Sequence, residues 1–431
     1  MIRTKKRPAT ASALAIFALG GLVLAGSATA PKAAYAADLG GNCCADLEER
    51  VAELEATTAR KGNRKTSLTI TGRVNYNVLW WNENSTGPRT DLNAFDTTRD
   101  VYFGNVGRNE SEFVFKGDGK INGDVSAGFL MEIFNDPSAA GGDAHTQITD
   151  QHGPFLQSRA TYVFLKSKTV GEARLGYMYG AVHDGFYSDL GVDTIGRYAQ
   201  TRDVAKFRLR DVTGQLVSSY GSILKPIEDS RDNQIQYISP AFAGFSLKAD
   251  VSGSDAYGAS LGYDNKFGTI SLKAAIGYES ATEADATATQ GIGAVGLSKS
   301  NLRVLAASAS IAESGSGLYL TGEYARAYAD ITGRDDVTNW FVKGGWQKNV
   351  NGLGTTAIYG SYFRQDNLAA NGTTGHVYAI GIDQAIDSVA SNIYLQYQRD
   401  SFDTDGVLKN GANAVNAQSI DAVIGGMIVR F

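Results

Sequence analysis

From Ser67 onward the chain alternates with a period of two. In Ser67-Leu68-Thr69-Ile70-Thr71-Gly72-Arg73-Val74-Asn75-Tyr76-Asn77-Val78 every second residue is apolar or glycine and the others are polar, which is the signature of a strand with one apolar face. The run ends in Trp80-Trp81, an aromatic pair of the kind that settles where a bilayer meets water. The same alternation returns over 111–116, 121–134, 160–166 and 172–179 and, after a long gap, over 234–239, 245–251, 257–263 and 269–278. It continues over 302–311, 318–328, 337–347, 355–363, 376–383, 392–398 and 418–431. These runs number about sixteen, an even count that suits an all-β, transmembrane antiparallel β-barrel closed within one chain.

The connections alternate as well. Gly117-Asp118-Gly119, Asn265-Lys266-Phe267-Gly268 and Asn351-Gly352-Leu353-Gly354 read as tight turns, whereas 81–100, 135–157 and 367–375 are long and polar. Outer-membrane barrels place the short turns on the periplasmic side and the long loops outside. An even strand number then leaves both ends of the barrel in the periplasm.

The largest interruption, 181–230, shows no sustained alternation and carries both signs of charge: Asp184, Asp189, Asp193, Asp203 and Asp211 against Arg197, Arg202, Lys206, Arg208 and Arg210. A segment of that length inside a compact fold is a functional loop or a disordered one. Folded inward it would constrict the lumen; lying outward it would be an extracellular flap. The residues of the segment fit both readings.

Parity gives the opposite wall. With Leu68, Ile70, Val74 and Tyr76 toward lipid, Arg73 faces the lumen. Phe113 and Phe115 outward place Glu112 and Lys116 inside; Val125, Phe129 and Met131 outward place Asp124 and Glu132 inside. Tyr162 and Phe164 outward turn Arg159 in, and Leu175 with Tyr177 turns Arg174 in. Arginines facing loop aspartates would set a transverse field across a water-filled constriction, and such rings of charge tune which ions pass. A scatter of lumen charge without special geometry is the alternative, since a one-residue slip of register turns any of these side chains over.

The region before Ser67 differs. Arg3, Lys5, Lys6 and Arg7 precede an apolar run from Ala11 to Gly26 that is too short to span a bilayer, and Ala34-Tyr35-Ala36 offers a cleavage site, with Ala28-Thr29-Ala30 a second. Residues 1–36 are expected to be a signal peptide. In 37–66, Leu47, Val51 and Leu54 are spaced as d, a and d of a heptad among Glu48, Glu49, Arg50 and Glu53. This predicts a short helix that either pairs between copies held together by a larger body or rests alone on it. Pointing into the periplasm, it could contact the cell wall. The barrel proper is expected over 67–431.

Composition narrows the partners. Mean hydropathy is −0.19, as expected when lipid-facing and lumen-facing residues alternate. The formal charge is −5, and loss of the leader's five bases, Arg3, Lys5, Lys6, Arg7 and Lys32, takes it to about −10. That balance argues against nucleic acid. The 2 cysteines are the adjacent Cys43 and Cys44, for which pairing between chains is at least as reasonable as a strained vicinal bridge. The 4 histidines, His145, His152, His183 and His376, are scattered, and no Cys/His spacing suggests a metal. No cofactor and no catalytic group is expected.

Basic leader, the segment Cys44-Ala45-Asp46-Leu47-Glu48-Glu49-Arg50-Val51-Ala52-Glu53-Leu54-Glu55, Arg64 to Gly72, and a closing strand that ends in Phe431 together resemble the alphaproteobacterial outer-membrane porins. The resemblance spans the mature chain in layout, with its specific content in 44–72 and at the C-terminus. It implies a homotrimer of sixteen-stranded barrels, a constricting third loop, and passive passage of small hydrophilic solutes and ions across the outer membrane of a Gram-negative bacterium. It also implies that Gly426, Val429 and Phe431 form a barrel-assembly signal, with Ile424 standing where a polar residue is usual. Three other readings remain open: a channel selective for a sugar, phosphate or dicarboxylate, a barrel that serves mainly as a cell-wall tether, and an outer-membrane enzyme using His183 or His376.

Overall fold

The computed structural model describes residues 66–85, 99–104, 111–135, 156–195, 208–210, 216–219, 224, 227, 231–253, 256–282, 301–329, 332–403 and 417–431. The signal peptide, the Leu47–Val51–Leu54 helix, Cys43 and Cys44, and Arg197, Arg202 and Asp203 lie outside the described residues.

The elements are strands almost throughout. The first half contains β1 (Ser67–Ser85), β2 (Arg99–Gly104), β3 (Ser111–Lys120), β4 (Val125–Asn135), β5 (Leu156–Ser167) and β6 (Gly171–Tyr179). Two short strands follow, β7 (Arg208–Arg210) and β8 (Leu216–Ser219), and then β9 (Arg231–Ile238), β10 (Phe245–Ser252), β11 (Tyr257–Phe267) and β12 (Ile270–Thr282). The second half is β13 (Asn301–Glu313), β14 (Leu318–Tyr328), β15 (Val337–Asn349), β16 (Thr355–Asp366), β17 (Thr374–Ile386), β18 (Ser391–Asp403) and β19 (Ala417–Arg430).

All of these except β7 and β8 form one 17-stranded sheet, in which every strand runs antiparallel to its neighbours. β2 and β3 share one position. β2 pairs with the upper half of β1, from Asn77 to Asn82, and β3 with the lower half, from Ser67 to Arg73. The other side of β1 pairs with β19, from Arg73 opposite Arg430 to Ser85 opposite Ala417. The sheet therefore closes on itself as a sixteen-position barrel. All sixteen runs of alternation correspond to strands. The short β2 was missed because it occupies half a position and follows a polar stretch. Gly117-Asp118-Gly119 is no turn but the end of β3; the chain reverses over 121–124, where the Asn122 Oδ1 accepts from the Asp124 and Val125 N–H groups.

The two faces follow the alternation. Leu68, Ile70, Val74, Val163, Leu175, Ile235, Leu261 and Ile380 stand exposed on the outer face, as a lipid-facing surface requires. Aromatic pairs sit toward both ends of that face: Tyr324 with Trp340 at 4.5 Å and Tyr362 with Tyr378 at 5.0 Å toward the long loops, and Phe245 with Tyr263 at 4.6 Å near the short turns.

On the inner face, tyrosines cross glycines on the neighbouring strand. A Cβ at Gly345 would lie 2.6 Å from the Tyr319 ring, one at Gly381 2.3 Å from the Tyr359 oxygen, and one at Gly426 2.5 Å from the Tyr394 oxygen. The glycine lets each ring lie across the next strand and reach beyond it. Tyr359 donates to Gln396 Oε1 at 2.8 Å, and Tyr394 donates to Asn75 Oδ1 at 2.7 Å while accepting from Asn77 at 3.2 Å. Tyr394 thus ties β18 to β1 across β19, at the seam where the barrel's first and last strands meet.

The seam's outer side belongs to Phe431. Its N–H and C=O exchange hydrogen bonds with Gly72 at 3.0 and 2.9 Å. Its ring occupies the space a Gly72 side chain would take, 2.6 Å from that ideal Cβ, and lies 5.8 Å from Phe113. Val429 shares its outward side, whereas Ile424 and Gly426 face inward, with Ile424 fully buried opposite Gln396 and Leu79. Asp421 lies on the same outward side as Phe431, since no bulge intervenes, and is held by Tyr397 at 2.7 Å and Arg399 at 3.7 Å toward the long-loop end.

Candidate functional site

The segment after β6 turns inward. A 3-10 turn over Ala181–Phe186 is buried at Ala181, Val182, Gly185 and Phe186. Val182 and Phe186 join the inward-facing Val304, Ala306, Ala325, Ala327 and Val337 in one apolar cluster, to which Ile227 returns from the far end of the connection. Glycine makes this approach possible on both sides: a Cβ at Gly185 would meet Ala306 at 2.6 Å, and one at Gly277 would meet Val182 at 2.7 Å. A 3-10 turn of apolar and small residues has no period of two, so alternation could not reveal it.

Beyond the turn the chain runs along the inner wall. The Ala181 N–H donates to Asp250 on β10. The Ser188 and Leu190 N–H groups donate to Ser308 and Ser310 on β13, each at 3.1 Å. The Val192 N–H donates to Gln347 on β15 at 2.9 Å and the Thr194 N–H to Asp383 on β17 at 2.7 Å. Residues 181–195 therefore cross the inner face from β10 to β17 and descend toward the short-turn end, with five backbone donors meeting wall side chains. β7 and β8, which contain Arg208 and Arg210, form a two-stranded ribbon later in the same connection.

The described loop aspartates, Asp184, Asp189 and Asp193, are each engaged. Asp184 accepts from Lys248 Nζ at 2.6 Å and Ser260 at 3.1 Å. Lys343, fully buried, donates to Asp189 at 2.5 Å and Asp193 at 2.9 Å, and its ammonium lies 5.5 and 5.8 Å from the rings of Tyr319 and Tyr359. Tyr319 donates to Asp193 at 3.0 Å and Thr321 to Asp189 at 2.9 Å. Lys248 and Lys343 were not singled out from the sequence. The polar phase of β10 and β15 places them inside, which was the available signal.

The predicted wall charges face the interior with different partners from those expected. Arg73 grips Glu112 with two contacts of 2.9 Å, Arg159 pairs with Glu132 at 3.0 Å, and Arg174 pairs with Glu172 at 2.6 Å, which also receives Lys166 at 3.2 Å. Arginines opposing loop aspartates is therefore corrected to arginines paired with wall carboxylates and loop aspartates paired with wall lysines. Lys116 shares the inner side, opposite Thr69, and is exposed. Asp124 is not on the wall at all. It lies in the 121–124 turn, where its carboxylate accepts from Ser167 at 2.7 Å and from the Lys168 N–H at 3.0 Å. The Ser167 hydrogen bond, with help from the Lys168 N–H, holds that carboxyl below its ordinary value.

Two orientations also change. In β5 the outward residues are Val163 and Leu165, while Tyr162 and Phe164 face inward opposite Leu130 and Gly128. A bulge opposite Glu132 and Ile133 gives Arg159 an unpaired position, so it turns inward although the assumed parity was reversed. Of the two tryptophans, Trp81 is buried on the inner side with Asn75, Asn77 and Leu79, leaving Trp80 on the outer one. As for the histidines, His183 stacks between Tyr179 at 3.7 Å and Tyr187 at 4.0 Å, and His376 pairs with the Tyr362 hydroxyl at 2.8 Å on the outer face. Among the described residues, no cluster of His, Cys, Asp and Glu could hold a metal ion.

A family model described as Gram-negative porin matches residues 12–405. No curated protein matches the sequence. Among solved structures, the chain is similar to the anion-selective porin of Comamonas acidovorans, with 16% identity, a TM-score of 0.52, and coverage of 85% of this chain and 100% of that one. It is also similar to the trimer form of OmpT, an outer membrane protein of Vibrio cholerae (14%, 0.51, 85% and 99%), and to the outer membrane channel DcaP of Acinetobacter baumannii (13%, 0.50, 85% and 99%).

Proposed function

Because the chain belongs to the Gram-negative porin family, we propose that it works as a homotrimeric general diffusion pore, exported by a cleaved leader and without enzymatic activity. The chain is an outer-membrane β-barrel channel, and the further detail rests on one observation: residues 181–195 lie against the inner wall from β10 to β17. A loop pinned there narrows the lumen without closing it, and the facing wall presents the Arg73–Glu112, Arg159–Glu132 and Arg174–Glu172 pairs. Paired charges of both signs hold ordered water and suit small polar solutes better than apolar ones. The trimer is supported by the solved trimer form of the Vibrio protein.

Liposome swelling tests this reading. Vesicles containing the purified protein should admit small sugars at rates that fall steeply as the sugar grows, with no saturation. Vesicles no leakier than protein-free controls would contradict it. Saturation by one sugar at low concentration would instead favour a substrate-selective channel.

A further inference from the structure

On β13–β18, Arg303, Arg326, Arg364 and Arg399 stand on the outer face near the long loops. Their strand neighbours Val304, Ala325, Ala327, Phe363 and Gln398 are buried on the inner side, so the alternation puts the arginines outside. Arg364 has Asp366 at 2.9 Å and Arg399 has Asp421 at 3.7 Å. Arg326 is held by Asp336, its Nε donating to Oδ2 at 2.7 Å. Arg303 is exposed and has no carboxylate partner among the described residues; its contact is with a ring.

That ring is shared. Arg303 lies opposite Tyr328 in the β13–β14 register with its guanidinium 5.3 Å from the ring centre, and the Arg326 guanidinium lies 4.8 Å from the same centre. Cation–π contacts orient the two guanidinium groups without neutralising them. Asp336 offsets one of the two charges and leaves the other unmet. The depth of the pair is given by the strands below it. Toward the short turns the outward positions are Leu305, Ala307, Ala309 and Ile311 on β13, and Tyr324, Gly322, Leu320 and Leu318 on β14. Ile311, Leu320 and Leu318 are exposed. The arginines therefore stand at the long-loop edge of the apolar band, where headgroups take over from acyl chains. A cation there is costly beside hydrocarbon and favourable beside an anion.

We propose that Arg303, Arg326 and Tyr328 form a docking site for the phosphate group of an outer-leaflet lipid. The phosphate oxygens accept from the Arg303 guanidinium, whose planar fork suits them, while Arg326 adds a second set of donors across Tyr328. The acyl chains lie down the wall along Leu305, Leu320 and Leu318. Charge complementarity selects the occupant, because a lipid without phosphate leaves the Arg303 charge unanswered. The site belongs to the lipid-facing wall and is independent of the pore reading.

Native mass spectrometry of the full-length protein released from detergent tests the site. The probes are dioleoyl phosphatidic acid, which ends in a phosphate monoester, and dioleoylglycerol, which has the same chains and no phosphate. The unmutated protein should retain the first and not the second. Arg303→Gln should weaken retention of phosphatidic acid about five-fold, the effect of one basic contact at a lipid surface, and Arg303→Lys should keep most of it. Heat-modifiable gel mobility shows that each variant is a folded barrel, and the two-lipid comparison on the unmutated protein stands whether or not a variant assembles. Equal retention of both lipids overturns the site, as does a folded Arg303→Gln barrel that keeps its phosphatidic acid. Displacement of the lipid by inorganic phosphate alone would mark a site for the free ion and overturn the lipid assignment.

Discussion

Single residues decide whether the seam and the loop hold. Tyr394 reaches Asn75 and Asn77 only because position 426 lacks a side chain. Tyr394→Phe should cost about 1 kcal/mol, the net worth of an ordinary buried hydrogen bond, whereas Gly426→Val should be far worse because it drives the ring off the seam. Denaturant unfolding of the purified barrel, followed by its heat-modifiable gel mobility, ranks the two. Lys343 is the stricter case, being fully buried between two aspartates. Lys343→Met leaves both carboxylates buried without their cation, a loss of about 3–5 kcal/mol for a broken buried pair. The expected result is a loop released from the wall, seen as new protease cleavage within 181–195 of an otherwise folded barrel. Asp124 supplies a pH dependence. Its carboxyl is held below the ordinary value of 3.8 by the Ser167 hydrogen bond, so its contribution is present above about pH 4 and is lost as pH falls through the lowered native value. Asp124→Asn should therefore flatten the acid side of a plot of unfolding midpoint against pH.

At the scale of elements, the strands were legible because lipid on one side and water on the other impose a period of two on nearly every residue. In β1 the alternation is uninterrupted, and Leu68, Ile70, Val74 and Tyr76 are exposed while Arg73 is paired with Glu112. Side assignments failed in β5. Tyr162 and Phe164 looked like lipid-facing aromatics, but Val163 and Leu165 take that side, and the inner rings pack instead against glycines and Arg174: Phe164 fills the space over Gly128, and the Arg174 guanidinium sits 5.0 Å from the Tyr162 ring. Aromatic residues serve both faces of this barrel, so hydrophobicity alone could not choose. The bulge beside Arg159 adds a residue that no periodic reading counts. Cysteine labelling checks the sides: Val163→Cys should react with a membrane-soluble reagent, and Tyr162→Cys with a water-soluble one entering the lumen.

Over the whole molecule, closure and passage were legible to different depths. Closure depends on repeated local rules, and the terminal Phe431 and Gly72 meet as the alternation requires. The site depends on which charges meet across the lumen, and these meetings join residues far apart in the chain, 64 positions for Lys248 and Asp184 and 154 for Lys343 and Asp189. The acids of the loop were visible in sequence; that their partners would be Lys343 and Lys248 rather than the wall arginines was not, because the loop path is set by backbone donors finding Ser308, Ser310, Gln347 and Asp383. On the proposed reading, this inward loop sets the width of an open pore. The most direct test is the single-channel conductance of the full-length protein beside that of a variant lacking residues 183–194. Discrete open steps are expected for the parent and a several-fold larger step for the variant. A silent parent, or a variant with an unchanged step, would contradict it.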